Sequence, residues 1–580
     1  MTFVLFCEVS TLKSNHRIME ERMTEFLKIA ETLDEIAAVS SRNAKIDLVA
    51  ALLKEVGSAE VRTAALFLGG RIFSESDDRG LNVSWGGLKS ALKQVIDFSM
   101  EDLSKSYQGD TGDAVAALLE SGKFAKQTAL FSTPLSIESL EDNFSYIAGL
   151  QGPGSKKKKE AILAQILREA TPIEAKYITA LVLNDMRVGL SEGLLAEGIA
   201  QAFNVEPKLV RRAWSLTGNL GQVAEMAGQG GTSALMEFTV TLFRPVKPML
   251  ASPADSIDEV FETGSSFAFE FKLDGARVQI HKQGDKVTIY SRRLQDVTES
   301  LPDIVEIVRK KVAAEVAVLD GEVVAIDDKG QPFPFQVVMK RFGRTREVEK
   351  TKDEVGLQLY LFDLLLLEGE QQIDSIYTDR RKLLESIASQ DILIERYSPT
   401  SKDEAVSFFD RSKTLGHEGL MAKQVDSTYV PGTRGRNWFK IKHSLDTMDL
   451  VIIAAEWGHG RRKNWLSDYH LAVRDPDTDS YVMIGKTYKG LTDIEFEEMT
   501  SKLKSISTGR KGHVVTVKPE IVVEVLAAEI QESPTYESGM ALRFARIVNI
   551  REDKLPTDAM TLEQLRTVYS EQFKYKASQT

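Results

Sequence analysis

The stretch EFKLDGAR, residues 270–277, places Lys272 where no packing requirement asks for a lysine. In the strand leading into it, Phe267, Phe269, Phe271 and Leu273 alternate with Ala268, Glu270 and Lys272. That period of two assigns one face to a core and sets Glu270 and Lys272 side by side on the other. Taken alone, such a strand reads as an amphipathic element whose wet face carries an ion pair. Two further stretches repeat the pattern. In AVLDGEVVAID the alternation brings Asp320 and Glu322 to one face, and in NWFKIK it sets Trp438, Lys440 and Lys442 opposite Phe439 and Ile441. Strands of this kind, closed against one another, form a cleft of converging amines and carboxylates, the set that nucleotide phosphates and a divalent metal require.

The chain that must position these strands has 580 residues, a length that allows roughly three to five domains. Its 43% hydrophobic and 27% charged composition is that of an ordinary globular chain with large cores, which excludes disorder. One cysteine, Cys7, excludes an internal disulfide framework and a zinc site of several thiolates, and fits a reducing cytoplasm. Apolar runs such as Leu364–Leu367 are too short to span a membrane. The opening MTFVLFCEVS lacks the basic segment and apolar length of a signal peptide. With Met19 and Met23 following and a helical pattern starting near Phe26, residues 1–22 read as an extension or a misassigned start. The net charge of −12 excludes a uniformly positive surface but not local basic grooves. Basic clusters at Lys156–Lys159, Lys340–Arg346, Arg434–Lys442, Arg461–Lys463 and Arg543–Arg551 together point to a polyanionic partner, although each alone is more often a solvated face.

Residues from about 23 to 240 read as successive helices: MTEFLKIAETLDEIAAV, KIDLVAALLKEV, KKEAILAQILREA and PIEAKYITALVLNDM repeat apolar residues at three- and four-residue intervals. The segment GLQGPGSKKKKE (149–160) reads as a joint between helical halves. In RPVKPMLASP (244–253), two spaced prolines and a change of period mark a domain boundary. Beyond it strands dominate, and after Lys442 the stretches DLVIIAAEW, YHLAVRD, YVMIGKTYKG and EIVVEVLAAEI have small-barrel spacing. The expected architecture is a multidomain α+β chain, with a helical domain at 23–240, a mixed α/β domain at 241–445 and a small β domain at 446–580.

KLDGAR resembles the K-x-D-G-x-R signature of the covalent nucleotidyltransferases, and the rest of their motif series follows in order. YSRR (Tyr290–Arg293) is similar to the second motif, LDGEVVAID to the third, and LYLFDLLLLEG to the one after it. HEGLMAKQVDSTYVPG (His417–Gly432) and NWFKIK resemble the fourth and fifth, and ALRFARIVNIREDK (Ala541–Lys554) the last. The four-residue signature alone is weak; the ordered series from Lys272 to Lys554 is specific. In addition, DMRVGLSEGLLAEGIAQAFN (Asp185–Asn204) resembles the helical DNA-binding domain of archaeal and eukaryotic ATP-dependent DNA ligases. The resemblance covers the chain after about residue 23. It implies an all-α DNA-binding domain, an α/β nucleotidyltransferase (adenylation) domain and a C-terminal OB-fold β-barrel. It also implies ATP and Mg²⁺ as cofactors and nicked double-stranded DNA as substrate, in replication, repair and recombination. The expected enzyme is a cytoplasmic monomer with no membrane attachment. A sliding clamp is a further family partner, but the helical domain shows no convincing clamp-binding peptide.

Covalent catalysis divides ligation into adenylation of the enzyme, transfer of AMP to a DNA 5′-phosphate, and displacement of AMP by the 3′-hydroxyl. By resemblance Lys272 takes the AMP as a phosphoramidate. A lysine with pKa near 10.4 is neutral in only roughly one molecule in a few thousand at pH 7. The site is therefore expected to depress it, through Lys440, Lys442 and Mg²⁺, with Glu270 turned away toward the adenine. The resemblance gives Phe362 the role of stacking on the adenine, while its apolar surroundings equally suit a plain core residue. It sets Arg277 and Arg292 near ribose and phosphates, and makes Glu322 and Glu418 metal or ribose ligands. Lys440 and Lys442 grip the α-phosphate, with Arg434 as a further phosphate contact. Glu418 precedes the strand pattern around Met421 and Lys423, so its role rests on resemblance only. Arg543, Arg546, Asp553 and Lys554 belong to the final motif, which orients pyrophosphate when the small domain swings in. An NAD-dependent ligase would need a four-cysteine zinc module, which one cysteine excludes. A capping guanylyltransferase or an RNA ligase would not carry the long helical segment, and a non-catalytic scaffold would not need Lys272, Glu322, Glu418, Lys440 and Lys442 together.

Overall fold

The computed structural model describes residues 24–576 apart from 76, 78, 108, 122–133, 328, 343–354, 444, 459–461, 573 and 575. The extension at 1–22 and the basic residues Arg344, Arg346 and Arg461 lie outside the described residues.

From Phe26–Ala38 to Leu220–Met236 the chain is helical. The three-and-four spacing read from the sequence becomes one buried stripe: in the first helix Phe26, Ile29, Ala30, Leu33 and Ile36 all face the core. There Phe26, Phe67 and Phe144 pack edge to face, with centroids 5.9 and 6.1 Å apart. Caps set the helix starts. Thr171 and Glu174 form a capping box ahead of Pro172–Leu183, and the Ser191 side chain accepts from the Leu194 amide to open Glu192–Ala202. The joint expected at 149–160 is shorter than read. Helix Ile137–Gly149 gives way to helix Ser155–Glu169 after Gly154, so Lys156–Lys159 are helical, and buried Lys159 donates to the Leu81 carbonyl at 2.7 Å. Lysine is a good helix former, and only the glycines and proline before it break the chain.

The middle region is built from two five-stranded sheets. Its strands are β1 (Leu250–Ala254), β2 (Phe267–Lys272), β3 (Ala276–Gln283), β4 (Lys286–Ser291), β5 (Val316–Ala325), β6 (Leu357–Leu367), β7 (Glu370–Gln371), β8 (Arg396–Tyr397), β9 (Gly419–Gln424) and β10 (Arg434–Lys442). One sheet runs β1-β10-β9-β2-β8 and the other β4-β3-β5-β6-β7. The chain passes between them in the turn that follows Lys272. There Gly275 is required, because a Cβ on it would lie 2.5 Å from the Val323 carbonyl oxygen of β5.

Eight further strands make the β-rich domain: β11 (Met448–Trp457), β12 (Leu466–Asp475), β13 (Ser480–Thr487), β14 (Ser507–Lys511), β15 (Val514–Leu526), β16 (Glu529–Glu532), β17 (Met540–Arg543) and β18 (Arg546–Ile550). They form a sheet β13-β12-β11-β15-β14 with β18 on β15, plus the β16-β17 hairpin. Helix Asp493–Ser505 packs on the sheet, with Phe496 stacked on Trp465 at 6.0 Å. Charged contacts join the three regions. Lys247 lies 2.5 Å from Glu75, Arg212 pairs with Asp374 at 2.8 Å, and Lys576, beyond the final helix Leu562–Gln572, reaches Asp274 in the middle region.

Candidate active site

Register decides which side chains meet on β2, β9 and β10. Lys272 is opposite Gly419, and Gly419 is opposite Lys442, so the two lysines share one row and one face. The next row holds Glu270, Met421 and Lys440, and the one after it Ala268, Lys423 and Trp438. Glu418 stands just ahead of β9, held by its backbone: its N–H donates to the Lys272 carbonyl and its carbonyl accepts from the His443 N–H, both at 2.9 Å. Its Oε2 lies 2.6 Å from Lys272 Nζ and 2.8 Å from Lys442 Nζ. The next residue must be glycine, because φ is +142° and a Cβ would overlap the Ile441 carbonyl oxygen.

The electrostatics of this row differ from the expectation in one respect. Burial, the largest influence, pulls the Lys272 amine down, but Glu418, Glu322 and Asp274 outweigh it and leave it above the ordinary lysine range. Lys440 is instead a depressed amine: burial lowers it first, and Lys442, Lys272, Arg434 and Arg292 lower it further. These five cations therefore converge on one cleft. Burial opposes ionisation of Glu418, yet Lys272 and Lys442 hold its carboxyl well below the usual range. For Glu322 burial wins and pushes the carboxyl up to about 7, against the pull of Lys272 and Arg277.

The face expected to be wet is covered. Glu270 is 2% exposed and does not pair with Lys272; its Oε2 lies 2.7 Å from Lys423 Nζ and its Oε1 accepts from the Tyr377 hydroxyl at 2.6 Å. Phe362 on β6 is half-buried, with Lys423 Nζ 4.5 Å and the Arg277 guanidinium 5.4 Å from its centroid. Arg277 is committed to the protein. It donates to Asp320 at 3.0 and 2.6 Å, to the Met249 carbonyl at 2.6 Å and to the Tyr429 hydroxyl at 3.1 Å. Arg292 and Arg434 are exposed.

The β-rich domain contributes unevenly. Arg543 Nη1 lies 3.4 Å from Glu529 Oε2, and Glu529 feels the charges of Asp274, Lys576, Arg543 and Glu418, which sets this pair beside the cleft. Arg546 is exposed at the start of β18. Asp553 and Lys554 are held elsewhere: Asp553 pairs with Arg551 at 2.7 Å, and Lys554 and Arg551 both pair with Asp449. Sequence reasoning passed over Tyr377, Arg381, Lys423, Asp274 and Lys576. The alternation through Met421 pointed at Lys423 and the K-x-D-G signature contains Asp274; nothing in the spacing marked the others.

Amines gathered around carboxylates in a cleft suit a polyphosphate, as an enzyme of the nucleotidyl-transferring class requires. Residues 25–200 match the model described as DNA ligase N terminus, 248–442 that of the ATP dependent DNA ligase domain, and 462–554 that of the ATP dependent DNA ligase C terminal region. The chain is 43% identical over 549 residues to "DNA ligase 1" of Korarchaeum cryptofilum, covering 94% of this chain and 98% of that one. It is 41% identical over 557 residues to the "DNA ligase" of Thermococcus fumicolans, covering 95% and 100%. A solved structure called "Pmar-Lig_PreS3" shares the fold at TM-score 0.55 and 19% identity, over 90% of this chain and 99% of that one. The chain belongs to the ATP-dependent DNA ligase family, and its reaction is DNA ligation.

Proposed function

We propose that the chain seals nicks in duplex DNA through an AMP carried on Lys272. The observation that carries this reading is the single carboxylate oxygen of Glu418 held between Lys272 and Lys442, at 2.6 and 2.8 Å. In the first transfer Lys272 Nζ gives up a proton to solvent and attacks the α-phosphorus of ATP; an N–P bond forms, the bond to the bridging oxygen breaks, and pyrophosphate leaves with its electron pair. In the second, an oxygen of the DNA 5′-phosphate attacks the same phosphorus and the lysine departs, regaining its proton. In the third, the 3′-hydroxyl loses its proton and attacks the 5′-phosphorus, and AMP leaves. Lys440, Lys442, Arg292 and Arg434 supply positive charge for the phosphate oxygens throughout. Phe362 serves as the stacking surface for the base and Glu270 as its polar reader. Arg277 acts as a buttress behind them, and Arg543 and Arg546 approach the cleft from the β-rich domain.

Glu322 and Glu418 are the residues to hold Mg²⁺. Among the described residues no group of three or more His, Cys, Asp or Glu is placed for a metal. Two carboxylates nonetheless fit a hard cation that keeps its waters and takes phosphate oxygens from the nucleotide. When bound, the ion supplies charge stabilisation to the transferring phosphoryl group.

We assign residues 23–240 to DNA binding, 241–445 to adenylation and 446–580 to an OB-fold domain that closes over the cleft. A cytoplasmic monomer acting on nicked duplex, with a sliding clamp as a further partner, is the corresponding setting. Among the described residues no helix is long and apolar enough to cross a membrane. Phosphate contacts make binding nearly sequence-blind and weaker as salt rises. The test is incubation with α-labelled ATP and Mg²⁺: an acid-labile protein adduct is expected for the parent and none for Lys272→Ala. An adduct in the variant would overturn the reading.

A further inference from the structure

Tyr377, Lys423 and Arg381 enclose the Glu270 carboxylate, and we infer that this enclosure sets the preference for a 6-aminopurine over a 6-oxopurine nucleotide. The inference rests on the reading of Glu270 as the residue that meets the base. All four side chains are buried: Glu270 is 2% exposed, Tyr377 0%, Lys423 1% and Arg381 2%. Glu270 Oε1 accepts from the Tyr377 hydroxyl at 2.6 Å, and Oε2 lies 2.7 Å from Lys423 Nζ. Arg381 comes from the same helix, Tyr377–Ile387. Its Nε donates to Glu385 at 2.7 Å and its Nη2 to the Ile394 carbonyl at 2.9 Å, while its Nη1 is buried without a hydrogen-bond partner, 3.7 Å from Glu270 Oε1. An orphaned guanidinium nitrogen is costly to bury, and here it adds positive charge beside the carboxylate.

Lys423 also ties this cage to the stacking surface. Its ammonium donates to the Phe362 carbonyl at 3.0 Å and lies 4.5 Å from the Phe362 centroid and 4.4 Å from that of Trp438. Carboxylate and ring therefore share one ammonium, and a base stacked on Phe362 brings its edge beside Glu270. A carboxylate there accepts from the amino group at C6 of adenine and repels the C6 carbonyl oxygen of guanine or hypoxanthine. A neutral carboxyl could donate to that oxygen, and the distinction would be lost. Lys423 holds one Glu270 oxygen by an ion pair at 2.7 Å, and Tyr377 fixes the rotamer by donating to the other. Both are positioning residues, since neither has to touch the nucleotide.

The test measures charging of the full-length enzyme with ATP, GTP and ITP, separating KM from kcat. In Tyr377→Phe the preference for ATP should fall about fivefold, as loss of roughly 1 kcal/mol of hydrogen-bond energy allows. Its source should be a higher ATP KM at nearly unchanged kcat. Lys423→Met should lower the preference about tenfold or more and raise acceptance of the 6-oxopurines, whereas Lys423→Arg should stay within about twofold of the parent. Should Lys423→Met fail to fold, Tyr377→Phe keeps the test alive, because it removes one oxygen and keeps the ring packing. Glu270→Gln separates the two readings. Preference unchanged in Glu270→Gln overturns the role of Glu270 itself. Preference lost in Glu270→Gln but kept in Tyr377→Phe and Lys423→Met overturns the enclosure alone.

Discussion

Asp320 offers a sharp test of how the nucleotide cleft is held together. It is 1% exposed and accepts from Arg277 at 3.0 and 2.6 Å and from the Tyr429 hydroxyl at 2.8 Å. Burial is the largest influence on Arg277 and works against its charge, yet Asp320 outweighs it and keeps the guanidinium firmly protonated. Asp320→Ala strips that buried charge of its paired carboxylate and leaves its hydrogen bonds to the Met249 carbonyl and Tyr429. Breaking a buried pair from one side costs about 3–5 kcal/mol. In a domain of roughly 200 residues each kcal/mol moves the midpoint by about 2–4 °C, so a fall of about 6–20 °C is expected. Calorimetry of the full chain resolves it as a shift of the middle domain's transition. Replacing both partners, Arg277→Met with Asp320→Leu, should recover most of the loss, because no uncompensated charge remains. A shift under about 2 °C for the single variant, or a double variant worse than the single, would refute the buttress.

Other consequences follow from the same cleft. Glu322 has its carboxyl raised from 4.5 to about 7, so its contribution to stability is full below pH about 4.5 and is lost as pH rises through about 7. In protein free of nucleotide and metal, denaturant titrations at several pH values should lose on the order of 1–3 kcal/mol across that window, and Glu322→Gln should flatten the loss. Lys576 pairs with Asp274, two residues from Lys272, and we expect this contact to break before a nick reaches Lys272. Lys576→Ala should therefore speed closing of a nick by enzyme already charged with AMP about fivefold, as release of roughly 1 kcal/mol allows; an unchanged rate counts against an obstructing role. A Cβ at Gly275 would lie 2.5 Å from the Val323 carbonyl oxygen and 2.8 Å from Glu322 Cγ. Gly275→Ala should destabilise the middle domain by about 1–3 kcal/mol and slow charging at least about tenfold, and normal charging would show that the turn has slack.

The helices were legible because their cores lie on one stripe, as Phe26 to Ile36 illustrate. The Lys156–Lys159 run misled, since charge says nothing about whether a helix continues; Gly152, Pro153 and Gly154 carry the break. Alternation grouped Glu270 with Lys272, and Lys440 with Lys442, on common faces. Period two names a face but not what covers it. The alternation alone thus leaves the surroundings of Glu270 open, and Tyr377 and Lys423, distant in sequence, close over it. The charge state of Lys272 was illegible for a similar reason: its balance depends on Glu418 folding back 2.6 Å away, outside the strand pattern. The final motif reads as one unit in sequence, yet Arg543 stands near the cleft while Asp553 and Lys554 belong to the contacts around Asp449.

The central claim is that one amine, among several within a few ångströms, takes up the nucleotide. Peptide mapping by mass spectrometry of protein exposed to ATP and magnesium, under conditions that preserve phosphoramidates, tests it directly. The account predicts AMP on the peptide that contains Lys272 and fragments that place it on that side chain. AMP on Lys440 or Lys442, or unmodified protein throughout, would contradict it.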